Sequence, residues 1–178
     1  WMDRAPITVA QFQPFVAAAR DTTHLIARLH GIWGIAQLAR RTPAHAAQLM
    51  PLLTDPESEV RAQAAKMIGD VRHAPAADGL VKALADPAPR VRFFAAEALG
   101  RLAHKPATAP LVAMLAGNDG RDVYLHHAGS VALASIGDAA ALEALSTHGS
   151  RPVRTAAVVA LRRMGHAGVA RFLGDADE

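Results

Sequence analysis

The sequence predicts an all-α, right-handed solenoid of about five helical hairpins, and three observations predict it. One helix-like phrase is written repeatedly: VRAQAAKMIGDVR from Val60 returns as VRFFAAEALGRLA from Val91, 31 residues later. Half the chain is apolar (51%) but only 4% is aromatic, so the interior has to be made of Ala, Leu, Val and Ile, which suits closely packed helices. Apolar and small residues recur at helical spacing, without the alternation of a strand.

The second helix of each hairpin fixes the frame. Aligned on Val-Arg, Val60-Arg61 leads to Ile68 and Val71, Val91-Arg92 to Leu99 and Leu102, and Val153-Arg154 to Leu161 and Met164. Two weaker copies fit: Ala27-Arg28 leads to Ile35 and Leu38, and Leu125-His126 to Leu133 and Ile136. Counting the first residue as zero, positions 0, 4, 8 and 11 are expected in the core. A shorter apolar helix precedes each of the later copies, in AAQLMPLLTD, ADGLVKALAD, TAPLVAMLAG and AALEALSTHG, and a helix over about Val9 to Arg20 is expected to cap the array.

The turn between the helices reads Asp55-Pro56 and Asp86-Pro87 in the clearest copies, an acid and a proline placed for helix capping. Gly69, Gly100 and Gly137, with His73-Ala74-Pro75 and Lys105-Pro106, are expected to punctuate the outer joints. The period varies from 28 to 34 residues. Residues 1–178 are therefore expected to form a single repeat domain, with repeats at approximately 7–41, 43–73, 74–105, 106–137 and 138–166. Residues 167–178 are expected to be a frayed tail or the start of a truncated repeat. One hairpin cannot bury both faces, and stacking supplies the rest of the core.

Composition limits function. Charged residues are 20% of the chain and the net charge is +3, without a basic run, so a pI of about 9.9 is weak support for a polyanion partner. With no cysteine there is no disulfide framework, thiolate zinc site or covalent c-type haem attachment in this chain. No apolar run approaches the ~18 residues of a membrane span, and WMDRAPITVA lacks the pattern of a signal peptide. The opening Trp1 is expected of a processed or excised piece.

The phrase D-P-x-x-x-V-R-x-x-A-A-x-x-L-G, here Asp86 to Gly100, resembles a HEAT repeat of the phycobilisome-lyase-like type, over roughly Ala27 to Gly165. The resemblance implies that the Arg in the second position of each helix (Arg28, Arg61, Arg92, Arg154) joins a structural ladder with Asp55 and Asp86. The other reading of those arginines is a phosphate-binding stripe. By the helical frame, positions 3, 6 and 10 of the second helices face away from the core and line one face, which the resemblance implies is the concave one: His30, Trp33 and Gln37; Gln63, Lys66 and Asp70; Phe94, Glu97 and Arg101; Ala128, Val131 and Ser135; Ala156, Val159 and Arg163.

Trp33 and Phe94 are large for a solvated stripe, and aromatic anchors mark interfaces. The competing reading is that Trp33 packs under the N-terminal helix and Phe94 against the layer of Phe93. Exposed rings are the expectation of the first reading.

A narrower resemblance rests on RLHGIWGIAQLARR, EVRAQAAKMIGD, PRVRFFAAEALG and NDGRDVYLHHAGSVAL, in that order. These resemble the HEAT region of large bacterial exported proteins, where it lies between a sugar-dehydrogenase-like propeller and a c-type cytochrome domain. That implies a periplasmic or exported spacer and docking segment, with a haem-containing or dehydrogenase domain as partner; otherwise the setting is cytoplasmic. Two alternatives remain open: a free-standing module such as a chaperone or lyase-like factor for a chromoprotein, and a nucleic-acid-binding repeat protein, the less expected of the two.

No catalytic constellation emerges, and the chain is expected not to be an enzyme. GxSxG, a Gly-rich phosphate loop and HExxH are absent. HEAT-like deoxyhypusine hydroxylases need His-Glu pairs, and alkylpurine glycosylases need an acid and aromatics around a strongly basic groove; the groove expected here is mixed in charge. His126-His127 does not chelate, because adjacent helical residues point about 100° apart. The turn histidines His73, His104, His148 and His166 are expected to be cations beside the last helical carbonyls. No cofactor or metal is expected in this chain.

Overall fold

Small side chains in the middle of each second helix decide how the molecule assembles. The computed structural model describes residues 8–175, and the expected array edges at residue 7 and at residues 176–178 lie outside them. Helices α1 (Val9–Arg20) and α2 (Leu25–Ala39) form the first hairpin. A 3-10 helix, Pro43–Thr54, replaces the first α-helix of the second hairpin and leads to α3 (Ser58–Asp70). Next come α4 (Ala77–Ala83) with α5 (Pro89–Arg101), α6 (Thr108–Asn118) with α7 (Val123–Ile136), and α8 (Ala139–Ala144) with α9 (Arg151–Met164). A last 3-10 segment, Ala167–Phe172, buries Phe172 against this end of the array.

Helices α3, α5, α7 and α9 pack one on the next, while the first helices scarcely touch along the array. The second-helix side is thus the tighter, concave side of an α-solenoid. The reason is steric. A Cβ added at Gly69 would meet Ala98 Cα at 2.7 Å, and one at Gly100 would meet Ala132 Cα at 2.9 Å. Both glycines lie inside helices, not at the joints where the sequence suggested them. The left-handed residue that ends α3 and α5 is instead Arg72 (φ 52°) or Ala103 (φ 49°). The same turn uses glycine at Gly165 after α9.

One continuous core runs the length of the array. Position 8 is sealed in every copy (Ile35, Ile68, Leu99, Leu133 and Leu161), as is the small residue at position 4. Position 11 differs from expectation: Leu38, Val71, Leu102 and Met164 are only partly buried, because the helix is ending there and its last turn reaches the rim.

The turns are fastened by arginine. Arg61 Nη1 donates to the carbonyls of Asp55 and Pro56 in its own turn, while Nε and Nη2 grip the Asp86 carboxylate of the next repeat at 2.7 and 2.9 Å. Asp86 Oδ1 also accepts from the Ala88 amide, so one carboxylate shapes its own turn and receives its neighbour's cation. Arg28 also forks onto the next turn's aspartate, Asp55, but through Nη1 and Nη2, its Nε donating to the Ala19 carbonyl; Asp55 Oδ1 accepts from the Glu57 amide. Arg154 grips Asp175 at 2.6 and 3.0 Å, with Nη1 on the carbonyls of His148 and Gly149. Residues up to Asp175 are therefore tied to the array.

Arg92 departs from the pattern. Its Nη1 donates to the carbonyls of Asp86 and Pro87, as in the other copies, but among the described residues no carboxylate lies within ion-pair distance. The reason is at the end of α6, where Gly117 follows Leu115-Ala116 at the place that Asp86 holds after Leu84-Ala85.

One turn histidine departs from the expected cation. Burial pushes the His73 imidazole down, away from the cationic form. His148 accepts the Ser150 amide on Nδ1.

Gly69→Ala should destabilise by about 1–2 kcal/mol in urea titrations, because the clash with Ala98 outweighs a helix-propensity gain of about 1 kcal/mol. Gly117→Ala, where an added Cβ meets nothing within 4 Å, should instead gain up to about 1 kcal/mol. Arg61 holds the Asp86 carboxyl below its ordinary value of 3.8, against an opposing push from burial. Its contribution is thus complete above that value and disappears as the pH falls through the lower folded pKa. Asp86→Asn should cost about 1–2 kcal/mol at pH 7, less than a fully buried pair because the clasp lies at the rim. The difference from the unsubstituted chain should shrink on titration towards pH 2.

Candidate functional site

The second-helix face carries the residues expected to bind. In α2, His30 and Trp33 meet edge-on with ring centroids 5.1 Å apart, and Gln37 is exposed one turn further on. Trp33 is 38% exposed, and its Nε1 donates to Gln63 Oε1 of α3 at 2.9 Å. Gln63 Nε2 in turn donates to Glu59 Oε1 at 2.9 Å, and Arg90 Nε of α5 donates to Glu59 Oε2 at 2.8 Å. A second chain of contacts runs beside it: Lys66 pairs with Asp70 at 2.8 Å, and Arg101 pairs with Asp70 at 3.1 Å and Glu97 at 3.4 Å.

Four stripe residues are not where the frame put them. Phe94 is 9% exposed, covered by the Arg90 guanidinium 5.0 Å from its ring centroid and by Phe93 edge-on. Gln63 is buried under Trp33. In α3, α5, α7 and α9 position 3 points into the seam between neighbouring second helices, which is why Ala128 and Ala156 are buried there too, whereas His30 of α2 is exposed. The exposed-ring expectation therefore fails for Phe94 and holds for half of Trp33. Further along, Val131 is half-buried, and Val159 and Arg163 are exposed. The structure joins His30 through Arg101 into one surface, and Val131 and Arg163 lie beyond its polar network.

The face is mixed in charge, Lys66, Arg90 and Arg101 being matched against Glu59, Asp70 and Glu97. Such a surface discriminates among partners by geometry more than by net field. Among the described residues, no group of three or more His, Asp or Glu side chains converges as a metal site. No helix among them is long and apolar enough to cross a membrane.

Two features were missed at the sequence level. Val123 (68% exposed) and Tyr124 (75% exposed) open α7; Tyr124 lines a cleft of about 410 Å³ with Phe93, and Val123 borders one of about 270 Å³ with Pro152. The signal was the lengthened turn NDGRDVY. On the opposite, first-helix side, a cavity of about 710 Å³ separates α4 from α6. The groove one repeat earlier, closed by Arg61 and Asp86, measures about 340 Å³. The missing Asp-Pro of the fourth turn pointed to it.

Repeat 4 is set apart in another way. Among the described residues, no side-chain hydrogen bond or ion pair joins Thr108–Ile136 to either neighbouring repeat; Asn118, Arg121 and Asp122 bond within the repeat.

This geometry agrees with known folds. The chain is similar to a chain of the complex of CpcE and CpcF of phycocyanin lyase from Nostoc sp. PCC7120, with 22% identity, a TM-score of 0.68, and coverage of 92% of this chain and 68% of that one. It is also similar to a designed armadillo repeat protein in complex with the peptide (KR)4 (22% identity, TM-score 0.57, 87% and 82% covered). A third likeness is to the archaeal HEAT-like repeats protein from Thermococcus onnurineus NA1 (14% identity, TM-score 0.60, 90% and 66% covered). No curated protein matches the chain. The family model for HEAT repeats matches residues 12–87, 46–131 and 77–162 in overlapping registers, and the chain belongs to the HEAT repeat family.

Proposed function

We propose that the chain is a non-catalytic protein-binding scaffold whose docking surface is the second-helix face around Trp33. The observation that carries this reading is a half-exposed indole held in place by Gln63, in a field of paired charges, on the open side of a repeat array. A ring fixed before contact loses little entropy on binding, and Trp is a common interface anchor. Repeat arrays present extended surfaces of this kind.

In its finer form, the scaffold is the spacer and docking segment of a larger exported redox protein, with a dehydrogenase or c-type cytochrome domain as partner and a periplasmic setting. The order of the four phrases from Arg28 to Leu133 supports this. The likeness to the CpcE–CpcF chain favours a second reading, a lyase-like or chaperone module serving a chromoprotein. Both readings put a coloured protein on the same surface.

A photo-cross-linker at position 33, with a control at Ala109 on the first-helix side, tests the proposal in the native host. The expected product is a covalent adduct from position 33 alone, in the periplasmic fraction, with haem absorbance. A bilin-bearing adduct instead supports the lyase-like reading. Equal adducts from both positions, or none, overturn the docking surface.

A further inference from the structure

The fourth turn leaves one arginine fork open. In Arg61 and Arg154, Nε and Nη2 hold an aspartate while Nη1 holds two carbonyls. Arg92 has the same two carbonyls on Nη1 and, among the described residues, no partner on the other edge. Arg92 is half-buried and lines the cavity between α4 and α6. The side walls are apolar: Val81, Leu84, Ala113 and Met114.

The charged neighbours do not fill the fork. Arg121 is folded back on the carbonyls of Gly117 and Asn118. Asp122 is turned to the start of α7, where its Oδ1 accepts the amides of Tyr124 and Leu125. The lining as a whole carries two arginines and one aspartate, which suits an added anion.

The three occupied forks show what fits. Each holds an aspartate two residues after a leucine: Leu53-Thr54-Asp55, Leu84-Ala85-Asp86 and Leu173-Gly174-Asp175. Repeat 4 writes Leu115-Ala116-Gly117 at the same place. We infer that the open Arg92 fork is a docking site for an aspartate of a partner protein, presented on a loop with an apolar residue beside it. The carboxylate completes the bidentate pair that Asp86 makes one repeat earlier, and the apolar neighbour enters the space bounded by Val81 and Met114. A cavity of about 710 Å³ is of the size that takes a few side chains.

This inference rests on the reading of the chain as a protein-binding scaffold, but it concerns the first-helix side. The test is an NMR titration of the whole chain with the capped peptide Leu-Ala-Asp-Pro, following the Arg92 Nε–Hε signal and the amides of Val81 and Met114. Saturable shifts are expected in the millimolar range, with about tenfold weaker binding of Leu-Ala-Asn-Pro and of the Arg92→Gln variant. Thermal melts of Arg92→Gln establish that it is folded, and Arg92→Lys, which keeps the charge but not the fork, should bind with intermediate strength.

Equal binding of the Asn peptide, or no shift at Arg92, overturns the site. Isovalerate saturating it as well as the peptide overturns it in favour of a small acid. Dimerisation that depends on Arg92, seen by sedimentation without peptide, overturns it in favour of a second copy. Loss of peptide binding with cross-linking at position 33 intact removes this site alone and leaves the scaffold reading standing.

Discussion

Everything in this molecule depends on second helices being able to touch backbone to backbone. Gly69 against Ala98 and Gly100 against Ala132 leave no room for a larger side chain, and that contact sets the spacing of the repeats. Once the spacing is set, an arginine at the start of one helix stands within reach of the aspartate in the next turn. The forked pairs of Arg28, Arg61 and Arg154 are thus a consequence of apolar packing. Bidentate geometry then adds direction to an association that burial alone leaves free to slide.

The same contact distributes the polar chemistry over two faces. On the concave side, neighbouring helices are close enough for Trp33 to reach Gln63 and for Arg101 to reach Asp70, so the surface is cross-linked before any partner arrives. On the other side the first helices stand apart, and what lies between them is a row of grooves. Their depth depends on whether the turn supplies a carboxylate.

Periodicity made the fold legible: position 8 and the small residue at position 4 are buried in every copy, and α1 has the bounds that its phrase suggested. The candidate site was legible only in part. A helical wheel places Phe94 and Gln63 outward, but position 3 falls in the seam where the next helix lies, and only the neighbour's location reveals it. Gly69 and Gly100 misled for the opposite reason. A glycine near a helix end suggests a stop, whereas these serve a close approach between elements distant in sequence, and Arg72 and Ala103 take the strained turn themselves. The turn aspartates paired across repeats because the arginine's reach spans the distance between adjacent turns, which the spacing within one repeat does not disclose.

Repeat 4 has a mechanical meaning. Directional bonds resist twist and tilt, whereas greasy contact resists only separation. Thr108–Ile136 is held to both neighbours by apolar contact, without side-chain hydrogen bonds or ion pairs among the described residues, so its orientation in the array rests on shape alone. The unclasped guanidinium lies at the edge of this repeat.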